Sequence, residues 1–272
     1  MSDTYAMING GFILKNEASL FISDLSIQRG FGIFDFFRTV DHKPIFLEDH
    51  LDRFYFSASQ MNMEISLARE ALKKQIFELI EKNSIPDSGI RITLTGGYSE
   101  DGYTLSKPNL VITQNAFAFN TENFEKGIKL VTYDHQRQLP QIKTIDYLQA
   151  IRLQPFVKEN HADDLLYHDQ NMIRECPRSN FFIVTNNNEV LTAGKKILKG
   201  ITRKKILELE EFNIREEEIT LKDLENVKEA FVSSTTKNVL PVVKIDGKTI
   251  GNGKPGEITR RIYDKICLLK EK

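Results

Sequence analysis

Five groups of residues in this chain have types and spacings that could do chemistry together. Lys143 sits in "QLPQIKTIDYLQAIRLQ", between a proline turn and an apolar run, and a lysine amine forms a Schiff base with an aldehyde. Glu175 ends the apolar stretch of "NMIRECPRSNFFIV" before a Cys-Pro break. It is either an exposed rim charge or an anion that keeps a ring nitrogen protonated. In "LKGITRKKILEL" a glycine precedes Ile201 and Thr202 at a helix start. Such a start exposes backbone N–H groups and a hydroxyl to an anion, although Gly-x-Thr is also an ordinary way to begin a helix. "FVSSTTKNVLPV" carries Ser233, Ser234, Thr235 and Thr236 between two apolar stretches, which reads as phosphate donors or as a locally bonded turn. Arg53 in "HLDRFYFSA" is either a solvated helix arginine or a paired donor for phosphate. An amine for an aldehyde, a cup for a phosphate and a carboxylate for a pyridine nitrogen are together the requirements of pyridoxal phosphate chemistry.

The elements that must position these residues alternate between strand and helix. "AMINGGFILK" predicts a hairpin turning at Asn9-Gly10-Gly11. "GIFDFFRTVDHKPIFL" predicts two strands, and "EDHLDRFYFSASQMNM" a helix with Leu51, Phe54, Tyr55 and Ala58 on one side. "SLAREALKKQIFELIEKNSI" predicts a second helix capped by Ser66. "GIRITLTGG" and "PNLVITQNAF" are strands that complete a small α+β domain over 1–116. The polar "FNTENFEKG" supplies a linker, placed at 117–125. The remainder, 126–272, predicts a large α+β domain carrying Lys143, in which "TIDYLQAIRLQPFVKEN", "ITRKKILELEEF" and "PGEITRRIYDKICLLKE" are helices. Tyr147 then falls one helical turn beyond Lys143, a position for core packing.

Composition narrows the classes. The 272 residues are 40% hydrophobic, with 37 Lys+Arg against 38 Asp+Glu. That near-zero charge argues against nucleic acid as a partner. No apolar run reaches the length of a membrane span, and the N-terminus lacks the features of a signal peptide. Cys176 and Cys267 are far apart and predict reduced thiols in a cytoplasmic protein. The five histidines form no metal-ligand pattern, so no metal is expected.

The chain resembles the fold-type IV pyridoxal-phosphate enzymes, the class IV aminotransferases: branched-chain and D-amino-acid transaminases and aminodeoxychorismate lyases. "HLDRFYFSA", "IKTIDYLQA", "IRECPRSNFFIV", "LKGITRKKIL" and "SSTTKNVLPV" carry the resemblance. It implies a two-domain, D-amino-acid-aminotransferase-like α+β fold with the cofactor between the domains, and a homodimer. By analogy Lys143 is the Schiff-base lysine and Glu175 the partner of the pyridine nitrogen. Arg53, Ile201, Thr202 and Thr235 match phosphate-binding positions, with Ser234 and Thr236 beside them.

The resemblance also bears on substrate. D-specific transaminases place an arginine where this chain has Gly96, and a tyrosine where it has Phe34; the lyases carry a threonine at the position of Phe36. Phe34, Arg38 and Arg91 match positions lining the pocket or carboxylate site of L-branched-chain transaminases. There Phe36 replaces a glycine, which implies a crowded or reshaped pocket, and Arg29 replaces an aromatic residue. With Thr236, these residues form the expected substrate set. The implied reaction moves an amino group between a branched-chain-like L-amino acid and a 2-oxo acid such as 2-oxoglutarate. An aminodeoxychorismate lyase and a D-amino-acid transaminase are the alternatives.

Overall fold

The computed structural model describes residues 4–118 and 122–270. The chain divides into two compact units, Met1–Ala118 with Ile142–Asp146, and Phe119–Gln141 with Tyr147–Lys272.

The first unit contains, in chain order, β1 (Tyr5–Ile8), β2 (Gly11–Leu14), α1 (Leu25–Arg29), β3 (Gly32–Val40), β4 (Lys43–Pro44), α2 (Leu47–Gln60), α3 (Arg69–Asn83), β5 (Ser88–Thr95) and β6 (Leu110–Ala116). The strands form one antiparallel sheet in the order β2-β1-β6-β5-β3-β4. Strand alternation puts Ile33 and Phe37 of β3 into the core with Ile90, Ile92 and Leu94 of β5. Leu47, Leu51, Phe54 and Ala58 form the stripe by which α2 joins that core. Two polar residues, His50 and Ser57, lie in the same buried stripe. Ser66 does not cap α3, whose N-cap is Ala68 with no side-chain bond. The first residue of that helix, Arg69, instead pairs with Glu48 and Asp52 of α2, so a helix–helix contact sets its start.

The second unit contains α4 (Glu122–Lys126), β7 (Ile128–Asp134), α5 (Leu148–Arg152), α6 (Gln154–Glu159), β8 (Asp164–Asp169), β9 (Met172–Ile173), β10 (Glu175–Cys176), β11 (Ser179–Val184), β12 (Val190–Thr192), α7 (Ile201–Leu207), β13 (Ile214–Glu216), β14 (Glu229–Ser234), β15 (Asn238–Ile245), β16 (Lys248–Thr249) and α8 (Glu257–Lys270). Its mixed sheet runs β13-β12-β11-β14-β15-β7-β8-β9, with β10 on β11 and β16 on β15. Phe182 and Phe231 stack across β11 and β14, with ring centroids 4.6 Å apart, and Ile258, Ile262 and Ile266 of α8 join them in an apolar cluster.

Three expectations change here. The 117–125 segment is not all linker. Phe119–Thr121 lie outside the described residues, but α4 follows, and its Phe124 is buried against Tyr263 at 4.4 Å. The helix expected over Thr144–Asn160 is two short ones, because Pro155 lacks the N–H of a helix interior and takes the first turn of α6 instead. Tyr147 therefore precedes α5, half-buried, and is not one helical turn from Lys143. Finally, Lys143 lies in a segment that packs with the first unit, not with the large one.

Candidate active site

That change of unit has a local cause. Residues 142–145 run antiparallel to the start of β3. Phe34 donates its N–H to Lys143 O at 2.9 Å, Ile145 donates to Gly32 O at 3.0 Å, and Thr144 bridges Ile33. Ile142 enters the core of the first unit, and Lys143 N–H reaches Ser57 Oγ of α2 at 3.4 Å. Ser57 thus has a reason to sit in an apolar stripe.

The backbone of Lys143 is held on both sides, and its amine is presented to Phe34. Nζ stands 4.6 Å from the centroid of the Phe34 ring, and the guanidinium carbon of Arg91 stands 4.2 Å from the same centroid. Alternation along β3 puts Phe34, Phe36 and Arg38 on one face, opposite Thr93, Arg91 and Gly89 of β5. This one face therefore gathers Phe34, Phe36, Arg38 and Arg91 with Lys143.

Phe36 does not close that face over the lysine. Its ring tips onto Gly89, two residue pairs farther along the sheet, where a Cβ would fall 2.7 Å from Cε2 and closer still to Cζ. Phe117 stands beside it at 6.3 Å between centroids, and the Arg38 guanidinium stacks on Phe117 at 4.7 Å. Gly96 is enclosed, since a Cβ there would stand 2.9 Å from Leu25 Cβ and Phe31 Cδ1. Arg29 is exposed in the last turn of α1 and donates to Gln28 O.

Arg53 is neither solvated nor alone. On the core-facing side of β3, Asp35 is fully buried and accepts from Arg53 Nε at 2.8 Å and Nη2 at 2.9 Å. It also bonds His50 Nδ1 at 2.7 Å and accepts the Phe36 N–H at 2.7 Å. Burial alone would raise the Asp35 pKa, but the charges and hydrogen bonds of Arg53 and His50 outweigh it and hold the carboxyl well below its usual range. Burial pushes the His50 pKa down, against the opposing pull of Asp35.

In the second unit Glu175 is buried and held at both oxygens. Arg137 Nη1 donates to Oε1 at 3.1 Å and the Leu198 N–H to Oε2 at 3.0 Å. Asn180, paired with Glu175 in the β10–β11 register, donates to Leu198 O at 2.7 Å. The same Asn180 leaves no room for a side chain at Gly200, whose Cβ would collide with its Oδ1. Gly200 N-caps α7 without a side-chain bond, so the buried Ile201 and Thr202 open the first turn. Asn180 also pairs with Ser233 across β11 and β14, which brings the Ser234–Thr236 turn to the same sheet region. Ser233 Oγ is buried with no hydrogen-bond partner among the described residues. Ser234 Oγ and Thr236 Oγ1 are 3.3 Å apart.

The donor set fits pyridoxal phosphate: an amine, a held carboxylate, a fixed guanidinium and a group of hydroxyls and helix N–H groups. Among the described residues no group of three or more His, Cys, Asp or Glu is placed to hold a metal ion, and no helix is long and apolar enough to cross a membrane. Sequence reasoning missed Asp35, His50, Ser57, Arg137 and Asn180. The one available signal was the aspartate of "GIFDFF", a carboxylate at an alternating core position.

A class IV amino-transferase family model matches residues 32–245. A D-alanine aminotransferase of Staphylococcus haemolyticus is 32% identical over 271 residues, covering 96% of each chain. A putative branched-chain-amino-acid aminotransferase of Methanocaldococcus jannaschii is 29% identical over 280 residues, covering 97% of this chain and 96% of its own. The Escherichia coli branched-chain aminotransferase structure matches with a TM-score of 0.92 at 22% identity, over 99% of this chain and 95% of that one. The branched-chain aminotransferase of the archaeon Thermoproteus uzoniensis, solved with norvaline, gives 0.88 at 22% identity, over 100% and 96%. These structures carry the fold-type IV architecture expected from the motifs. With the family match spanning most of its length, the chain belongs to the class IV aminotransferases, which work with pyridoxal 5'-phosphate.

Proposed function

We propose that this aminotransferase moves an amino group between a branched-chain-like L-amino acid and a 2-oxo acid such as 2-oxoglutarate, as a cytoplasmic homodimer. The observation that carries this reading is the shared face of Lys143, Arg38, Arg91 and Phe34. A substrate whose amino group comes to Lys143 meets guanidinium groups for a carboxylate and an aromatic surface for an apolar side chain. The enclosed Gly96 supports the L-reading, because an arginine there would clash with Leu25 and Phe31.

Pyridoxal phosphate supplies an aldehyde that condenses with amines and a ring that accepts electrons from a broken Cα–H bond. In this proposal Lys143 would hold the cofactor through its amine, and its Nζ would serve as the group that carries the proton. Glu175 keeps the ring nitrogen protonated. Arg53, Ile201, Thr202, Ser234, Thr235 and Thr236 hold the phosphate, and Thr236 also meets the substrate with Phe34, Phe36, Arg38 and Arg91.

The 32% identical D-alanine aminotransferase favours a second reading, a D-amino-acid transaminase. Visible absorption of the purified protein, with L-leucine, L-glutamate and D-alanine added separately, decides between them. Loss of the yellow band with the L-amino acids supports the first reading, and loss with D-alanine alone replaces it by the second. Lys143→Ala is expected to abolish both the response and turnover; a variant with undiminished transamination would remove Lys143 from its role.

A further inference from the structure

We infer that Lys237 is a positioning residue for the cofactor's phosphate: it ties the Ser234–Thr236 turn to Asp164 of β8 and so holds the turn's hydroxyls in place before the anion arrives. The inference rests on the reading of that turn as a phosphate site, and it extends the site to an ion pair outside the turn.

Ser234 and Asn238 pair at the end of the β14–β15 hairpin, so Thr235, Thr236 and Lys237 form a three-residue loop. Such loops close through a residue in the left-handed region, here Asn238 at φ 56°. The buried Asn238 is clasped by α8: its Nδ2 donates to Cys267 Sγ at 3.8 Å, and its Oδ1 accepts from Lys270 Nζ. Inside the loop the Lys237 N–H donates to Ser234 Oγ at 3.1 Å. The exit of the turn is thereby fixed.

The tip needs a tie of its own. Thr235 is half-buried and Thr236 exposed, and among the described residues neither has a side-chain hydrogen bond beyond the turn. Lys237 has one. Its Nζ donates to Asp164 Oδ2 at 3.0 Å, on a strand separated from β15 by β7. The pair is largely shielded from water, with 21% of the lysine side chain and 10% of the aspartate side chain exposed. A carboxylate so placed needs its cation, and a lysine so engaged lacks the freedom of a surface one. A lysine beside a phosphate loop could instead touch the anion directly, but here its amine is given to Asp164. Hydroxyls ordered in advance bind an anion without the further loss of freedom that a mobile loop incurs.

The test measures affinity of the full-length chain, freed of cofactor, for pyridoxal 5'-phosphate and for pyridoxal, which lacks the phosphate. Lys237→Met and Asp164→Asn are each expected to weaken pyridoxal phosphate by about three- to tenfold and pyridoxal by less than about twofold. The double variant is expected to lose no more than either single one, because both remove the same tie. Lys237→Arg keeps the ion pair and is expected to stay within about twofold of the wild type. A loss confined to Lys237→Met, with Asp164→Asn binding as well as the wild type or better, would make the amine a direct ligand of the anion and overturn the positioning role. Equal weakening of both ligands would reduce the pair to a support of the fold, and unchanged binding in both single variants would leave it no role at the site; either result overturns the inference. The phosphate reading is tested separately by Thr235→Ala combined with Thr236→Ala. If that variant binds both ligands as the wild type does, the turn is not a phosphate site and the inference falls with that reading.

Discussion

Replacing Gly89 by alanine tests whether the missing Cβ sets the place of the Phe36 ring. The added atom falls 2.7 Å from Phe36 Cε2 and closer still to Cζ. The ring must therefore retreat by roughly 1 Å to recover an ordinary carbon–carbon contact. Phe117 stands on one side of it, 6.3 Å away between centroids. Overpacking of this kind costs about 1–3 kcal/mol, and because the atoms that must give are the far end of the partly buried Phe36 side chain, the cost lies near 1 kcal/mol. With Phe36→Ala the space is open. Alanine then gains about 0.5–1 kcal/mol over a glycine in a strand interior. The interaction energy between the two positions is thus about 1.5–2 kcal/mol, readable from urea unfolding of the four proteins of the cycle. On the proposed reading of Phe36 as a substrate residue, activity on amino acids of increasing side-chain size is expected to shift with the same ring, although it tips away from Lys143 toward Gly89. An equal cost for Gly89→Ala with and without Phe36 would refute the reasoning.

Two further outcomes are expected. Glu175→Gln keeps the size but removes the anion that Arg137 and the Leu198 N–H hold, and is expected to slow transamination by about a hundredfold or more; a near-wild-type rate would reduce Glu175 to a structural charge. His50, its pKa lowered by burial, stays neutral in the native chain to a lower pH than in the unfolded one. The unfolded chain then binds more protons, so stability falls as pH drops below about 6.5. Asp35, lowered in the fold, adds a second loss only below the unfolded carboxylate value of about 4. The urea midpoint is expected to fall between pH 7 and pH 5, and to fall less in His50→Gln. Equal slopes would exclude His50 as the cause.

The class of chemistry was legible in the amino-acid order alone, because an amine, a carboxylate, an arginine and two hydroxyl-bearing turns are local features that survive in motifs such as "IKTIDYLQA" and "LKGITRKKIL". That order also determined most strands and the stripe of α2, since alternation and helical spacing are readable one segment at a time. Long-range pairing, by contrast, sets which unit holds Lys143. Its segment pairs with β3, more than a hundred residues earlier, and no local pattern encodes a partner at that separation. The same applies to Asp35 with Arg53 and to Phe36 with Gly89. In each pair one residue looks out of place alone, a carboxylate in an apolar strand or a bulky ring on the face that carries Arg38 and Arg91. Its reason is a partner brought alongside by the fold.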